Sequence, residues 1–189
     1  MEPQSRLPYC EMGITNLLLL LGEDPTRDGL KDTPKRVIKA LQEMTSGYQE
    51  DPAEILSRQF DVQYDELVVC KDISFVSLCE HHMLPFTGTA AVGYIQKEGG
   101  KVVGLSKLAR LVLCFAKRFQ VQERLTQQIA LALMEHLQCE GCGVLINAAH
   151  SCMSCRGVMQ PNSKMVTSSL LGVFREDPKV RSEFLSLVR

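Results

Sequence analysis

The residues Cys79-Glu80-His81-His82 gather a thiol, a carboxylate and two imidazoles directly after the apolar run 73–78. The chain holds only four histidines, and two of them sit here. Zinc favours thiolate and imidazole ligands, and two residues between ligands is a spacing that one ion can bridge from a tight turn. Cys79 and His82 have that spacing, which leaves Glu80 and His81 beside such an ion rather than on it. Two ligands make a weak site, so the chain must supply a third.

A second stretch, Ala149-His150-Ser151-Cys152, follows another apolar run at 143–146. Read as one strand over 143–152, it alternates its side chains between faces, and His150 and Cys152 share a face with Ile146 and Ala148. Cys79, His82 and Cys152 then form a three-ligand zinc site. Three protein ligands keep a fourth position open for water, which is the catalytic pattern. His81 and His150 stay as unligated imidazoles able to move protons. Two rivals remain. His150 as a fourth ligand would close the site. Alternatively, Cys139-x2-Cys142 and Cys152-x2-Cys155 could form a zinc-ribbon-like binding module. Nine residues separate those two pairs, against the usual fifteen to twenty. Spacing favours the open site.

The elements that must position these groups follow from pattern and caps. Residues 1–9 read as a flexible lead and 11–21 as a helix stopping at Gly22. Thr33 and Pro34 read as the cap and first position of a second helix, with Arg36 in its first turn. A polar connection at 46–65 leads to strands at 67–78 and 87–95, a hairpin around the turn near Pro85. Ser106 reads as the N-cap of the next helix. Lys107 and Arg110 share a face of its first turn, where two cations at a helix N-terminus make a phosphate-grade anion site. A further helix at 120–137 carries Gln122 and Glu123 near its start, and Glu123 could accept paired N–H donors from a ligand. Strands at 143–152 and 166–174 and a helix capped by Asp177-Pro178 complete the chain. The order is two helices, two strands, two helices, two strands and a helix.

Bulk properties narrow the class. The 189 residues suit one domain, or a compact domain with an extension. A net charge of −1 argues against a broad nucleic-acid-binding face. The longest apolar run, 17–21, is far too short to span a bilayer. Eight cysteines clustered with histidine, and no signal-peptide pattern, read as reduced thiols in a cytoplasmic enzyme.

Taken together, Cys79-Glu80-His81-His82, Gly104-Leu105-Ser106-Lys107, the run 120–128 and His150-x-Cys152 with Arg156-Gly157 resemble GTP cyclohydrolase I. Asp32-Thr33-Pro34-Lys35-Arg36-Val37 is similar to that family's N-terminal region, and the resemblance runs from about Gly22 to the end. It implies an α+β tunnelling fold in ββαα-ββ order, with a helical extension over 1–46 and a catalytic domain over 47–189. It also implies a multi-subunit barrel, a decamer of two pentamers with active sites at subunit interfaces.

By the same resemblance, Cys79, His82 and Cys152 hold Zn2+. His81 and His150 are the acid–base pair, with Ser106 in the catalytic set. Glu123, with Gln122 beside it, recognises the guanine of GTP. Ser106, Lys107, Arg110, Arg156 and Arg36 hold the triphosphate. The implied reaction converts GTP and water to 7,8-dihydroneopterin triphosphate and formate, the first step towards tetrahydrofolate and tetrahydrobiopterin. The run 162–177 resembles the animal-type enzymes, which can bind a feedback regulatory protein, and admits such a partner here. Cys139, Cys142 and Cys155 are not family hallmarks. A related tunnelling-fold enzyme acting on another pterin or purine is the nearer alternative.

Overall fold

Alternating apolar residues and two helices with broad apolar faces build a five-stranded sheet with one face under those helices and part of the other under the C-terminal phenylalanines. The computed structural model describes residues 3–62 and 64–189, with Pro3 and Gln4 by backbone alone. The chain divides into two units, 1–45 and 46–189.

In the first unit a 3-10 turn, Pro3–Arg6, runs straight into α1, Leu7–Leu20. The expected flexible lead is therefore helical from Pro3, while residues 1 and 2 lie outside the described residues. Pro8 does not stop α1 because it falls in the first turn, where a missing N–H leaves no bond unmade. α2, Thr33–Met44, packs against α1. Its N-cap is Asp32 rather than the expected Thr33, so Pro34 is the second helical residue. Arg36 points its guanidinium at Asp32, 3.4 Å away, and both side chains are exposed.

The second unit begins with a 3-10 turn, Ser46–Gln49, and the short helix α3, Pro52–Leu56, capped by the Asp51 carboxylate accepting from Ala53 N. Two short strands, β1 (Gln59–Phe60) and β4 (Val102–Val103), pair with each other. The main sheet contains β2 (Val68–Cys79), β3 (Pro85–Ile95), β5 (Phe119–Gln120), β6 (Gly141–His150) and β7 (Met165–Gly172), in the order β5-β2-β3-β6-β7. Helices α4, Leu105–Ala116, and α5, Gln122–Leu137, cover one face. Leu108, Leu111, Leu125 and Ile129 bury there against Phe75, Val92 and Ile146. After β6 and β7 come the turns α6, Ser151–Ser154, and α7, Val173–Glu176, and then α8, Pro178–Leu187. Phe184 of α8 packs with Phe174 and Leu170 as a second, smaller cluster. The expected ββαα-ββ order is β2-β3, α4-α5, β6-β7.

Several boundaries differ from expectation for local reasons. The strand expected to reach Cys152 ends at His150, because Cys155 N already bonds Ser151 O in a helical turn. The last strand stops at Gly172, whose φ of +58° turns the chain away and where a Cβ would sit 2.1 Å from Glu140 O. Phe119–Gln120 is not helical; it forms a short parallel strand beside β2. Gly104 takes the N-cap position of α4, so Ser106 is its second helical residue and caps nothing.

One irregularity in β2 sets which side its last residues face. Cys70 pairs with Val92 but Ile73 with Ala90, so three steps on β2 span two on β3, a bulge with Asp72 at φ +59°. Before it the even-numbered Val68 and Cys70 pack towards the helices. After it the odd-numbered Ile73, Phe75, Ser77 and Cys79 are buried.

β6 leaves no room for a side chain at Gly88 of β3, where a Cβ would lie 2.0 Å from Asn147 O and 2.6 Å from Ala148 Cα. Backbone cannot yield as a side chain can. Gly88→Ala is expected to destabilise the fold by about 3 kcal/mol, the upper end of overpacking costs, read as a drop in the urea midpoint with unchanged slope.

Candidate metal centre and active site

β2 and β6 are both antiparallel to β3, so they run in the same direction on either side of it. Their C-terminal ends therefore emerge at the same edge of the sheet. The register aligns Ser77, Phe86 and His150 in one cross-strand row. Cys79 and Cys152 each lie two residues beyond that row. After Cys79 the chain folds back at once, with Met83 N donating to Cys79 O at 2.8 Å and Cys79 N to Leu84 O at 2.8 Å. This turn brings His82 Nδ1 to 3.9 Å from Cys79 Sγ. α6 performs the same service for Cys152, and donor atoms of Cys79, His82 and Cys152 all lie within 4.8 Å of one another.

That donor set fits zinc. Ligand atoms around a tetrahedral zinc stand about 3.5–3.8 Å apart, given bond lengths near 2.3 Å to sulfur and 2.0 Å to nitrogen, close to the observed 3.9 Å. Cys79 is buried, Cys152 half-buried and His82 exposed, which leaves one side open. Burial and the neighbouring Cys79 sulfur push the Cys152 thiol above its ordinary range. A cation offsets both effects.

The rivals do not assemble. His150 is not a fourth donor in this arrangement: it is not among the donors that converge within 4.8 Å, and its Nε2 lies 2.8 Å from Gln122 Oε1. Among the described residues, no second group of three metal donors meets. Cys139 and Cys142 are buried: Cys142 donates to Ala130 O at 3.3 Å and Cys139 to Leu133 O at 3.8 Å. Contact with Cys139 and burial push the Cys142 thiol up. Cys155 is exposed and donates to Ser151 O at 2.8 Å. The ribbon of Cys139, Cys142, Cys152 and Cys155 is therefore absent among the described residues.

Around the trio, His81 is exposed, with Nδ1 3.9 Å from Cys79 Sγ. Arg156 Nη1 lies 2.9 Å from His82 Nε2, which puts it on the metal turn. Glu80 pairs with Arg124, whose Nε donates to Gln120 Oε1 at 3.2 Å, while Glu80 N donates to Gln120 O at 3.1 Å. These bonds clamp the turn to the start of α5, a tie that sequence reading missed. His150 stacks on Phe86, rings 4.6 Å apart and 2° from parallel. Burial lowers its pKa, opposed by the charge of Glu123.

The expected ligand-binding residues fall in different places. Glu123 is exposed and lines a cleft of ≈ 380 Å³ with Thr126, Thr167, Ser168, Arg175 and Arg181. Gln122 does not stand beside it facing a ligand; its side chain is buried and fully hydrogen-bonded inside. Ser106 and Lys107 lie in the first turn of α4. Arg110 opens on another cavity of ≈ 440 Å³ whose lining mixes three carboxylates, Glu50, Asp51 and Glu54, with a second cation, Lys117. Within one chain, Lys107 and Arg110 do not make a purely cationic anion site.

Comparison with known proteins gives one family. The pattern of GTP cyclohydrolase I matches residues 10–189. A protein named GTP cyclohydrolase 1 from Dehalococcoides mccartyi is 49% identical over 179 residues, covering 95% of both chains. One of the same name from Rattus norvegicus is 52% identical over 189 residues, covering 100% of this chain and 78% of its own. Another from Coxiella burnetii is 53% identical over 174 residues, covering 92% of this chain and 94% of its own.

Metal analysis separates the donor sets. Cys152→Ser and His82→Ala are expected to lose bound zinc, and Cys139→Ser and Cys142→Ser to keep it; the reverse would favour the ribbon. Binding must release the thiol protons, and the Cys152 thiol holds its proton more tightly than usual. Zinc affinity is therefore expected to fall as pH falls and rise as pH rises, measured by chelator competition.

Proposed function

The chain belongs to the GTP cyclohydrolase I family, and from that premise we propose that it is a zinc-dependent hydrolase converting GTP and water to 7,8-dihydroneopterin triphosphate and formate. The observation that carries this reading is the trio Cys79, His82 and Cys152 at the sheet edge, open on one side, with an imidazole that is not a ligand nearby in the His150 row. Zinc bound there supplies an acidified water near neutral pH.

The remaining work falls to side chains of the chain. Purine C8 is a poor electrophile until N7 is protonated, and His150 is the proton donor for that step. Its stacking on Phe86 holds the ring plane. His81, exposed beside the trio, is the second proton-transfer group. Glu123 accepts the paired N–H donors of guanine at the rim of its cleft. Arg156, next to His82, reaches the nucleotide tail. Ser106, Lys107, Arg110 and Arg36 complete the triphosphate grip, and holding the tail positions C8.

These anion-binding groups need not surround one chain's own metal. The reading includes a barrel of several subunits, a decamer of two pentamers, with each site completed across an interface. The helical extension over 1–46 and the catalytic domain over 47–189 belong to the same reading. β7 supports it: an eight-residue strand that pairs only with β6 among the described residues leaves its other edge free for a neighbour. The site is cytoplasmic, and no helix among the described residues is long and apolar enough to cross a membrane. A feedback regulatory protein is a partner of the kind that the run 162–177 admits.

The test is formate release and pterin fluorescence from GTP, with ATP as control. Wild type is expected to turn over GTP and ignore ATP. His150→Ala is expected to keep its zinc and lose on the order of 10²–10⁴ in kcat, the usual worth of a general acid–base. Strong turnover of another purine with none of GTP would move the chain to a related tunnelling-fold activity.

A further inference from the structure

We propose that Gln122 is a positioning residue for this reaction: it holds His150 as the Nε2–H tautomer and leaves Nδ1 as the ring nitrogen that exchanges a proton. The inference rests on the proposed reaction for its role, but on hydrogen-bond direction alone for the tautomer.

The Gln122 amide nitrogen lies 3.2 Å from Ile146 O, 2.9 Å from Met165 O and 3.1 Å from Thr167 Oγ1. Backbone carbonyls only accept, so the NH2 of the amide must face them. The flipped amide would press an oxygen against two carbonyl oxygens in a site where Gln122 is 1% exposed. The hydroxyls agree. Thr126 donates to Gln122 O at 2.7 Å, which uses its one hydrogen. The 2.6 Å contact between Thr126 and Thr167 hydroxyls must then be a donation from Thr167. Thr167 Oγ1 has spent its own hydrogen and accepts from Gln122.

One position remains. Gln122 Oε1, 2.8 Å from His150 Nε2, has no hydrogen to give. His150 Nε2 must therefore carry one, and a neutral imidazole with Nε2–H has its lone pair on Nδ1. Nδ1 has no hydrogen-bond partner among the described residues, and a half-turn of the ring would put Cε1 in place of Nε2 opposite Gln122 Oε1 and lose that bond. In the reaction Nδ1 takes a proton from solvent and passes it to the substrate nitrogen, while Nε2–H stays in place throughout. The amide oxygen also stabilises the imidazolium formed on the way, since a bond from a charged donor is the stronger one. An amide fits this position better than a carboxylate, which could not donate to Ile146 O or Met165 O.

The experiment is nitrogen-15 NMR of the full-length protein labelled at histidine, above the usual imidazole pKa range, with the His150 signals identified by their loss in His150→Asn. Wild type is expected to show a protonated Nε2 and a bare Nδ1; a predominant Nδ1–H overturns the proposal whatever any variant does. Gln122→Met keeps the length of the side chain without its polar atoms. It is expected to keep its zinc, to mix the two His150 tautomers, and to lose about 10–100-fold in kcat, as for other orienting partners, with KM for GTP little changed. A Met variant with wild-type kcat, or one impaired through KM alone, also overturns it. A wild type with Nε2–H that releases no formate from GTP supports the tautomer and overturns the reaction.

Discussion

The site depends on one topological constraint, the placement of β3 between two strands that both run against it. β2 and β6 are then obliged to finish side by side, and whatever follows them shares a sheet edge. That is how sulfurs far apart in the chain come within reach of one ion. Holding two such sulfurs together without a cation is unfavourable: the Cys152 thiol already resists ionisation because of burial and its neighbour. A metal reverses that balance, so the strand arrangement and the donor chemistry favour the same occupant.

The first turn of α5 complements the sheet. Gln122 reaches inward to His150 and the β6 and β7 backbones, Glu123 faces outward to a cleft, and Arg124 reaches across to Glu80. Three successive side chains thus serve an imidazole, a cleft and the metal turn. Successive helical residues stand about 100° apart, so each takes a separate task. The inward branch is the costly one to disturb, because every hydrogen-bonding atom of the Gln122 side chain is buried and matched, and a half-satisfied buried network is worse than none.

Much of this was legible in the sequence, and the failures have physical causes. Cys79 and His82 were readable because a two-residue spacing is a local property of a turn. Cys152 was readable as the third donor to meet that pair, although it sits in the helical turn α6 and not on the strand expected to carry it. Ser106 was misread as a cap because the helix begins two residues sooner, at a Gly104 that takes the N-cap position with no side-chain bond. The inward turn of Gln122 could not be read at all. Its acceptors belong to residues 146, 165 and 167, and nothing in the run 120–128 records where those strands will lie. Arg110 was read as a free cation because the carboxylates that face it come from the 46–65 connection, which has no periodicity to place it.

The bulge at Asp72 has a consequence for how the gene can drift. It changes which parity of β2 faces the helices, so the inward set passes from Val68 and Cys70 to Phe75, Ser77 and Cys79. Loss of a single codon there would match two steps on β2 to two on β3 and leave the Cys79 sulfur facing the helices, whereas unbroken pairing at the present length would point it at the opposite side of the sheet, with every residue of the donor trio still encoded. Between residues 70 and 79 the bulge and the extra residue are thus tied together, and one can be lost only with the other.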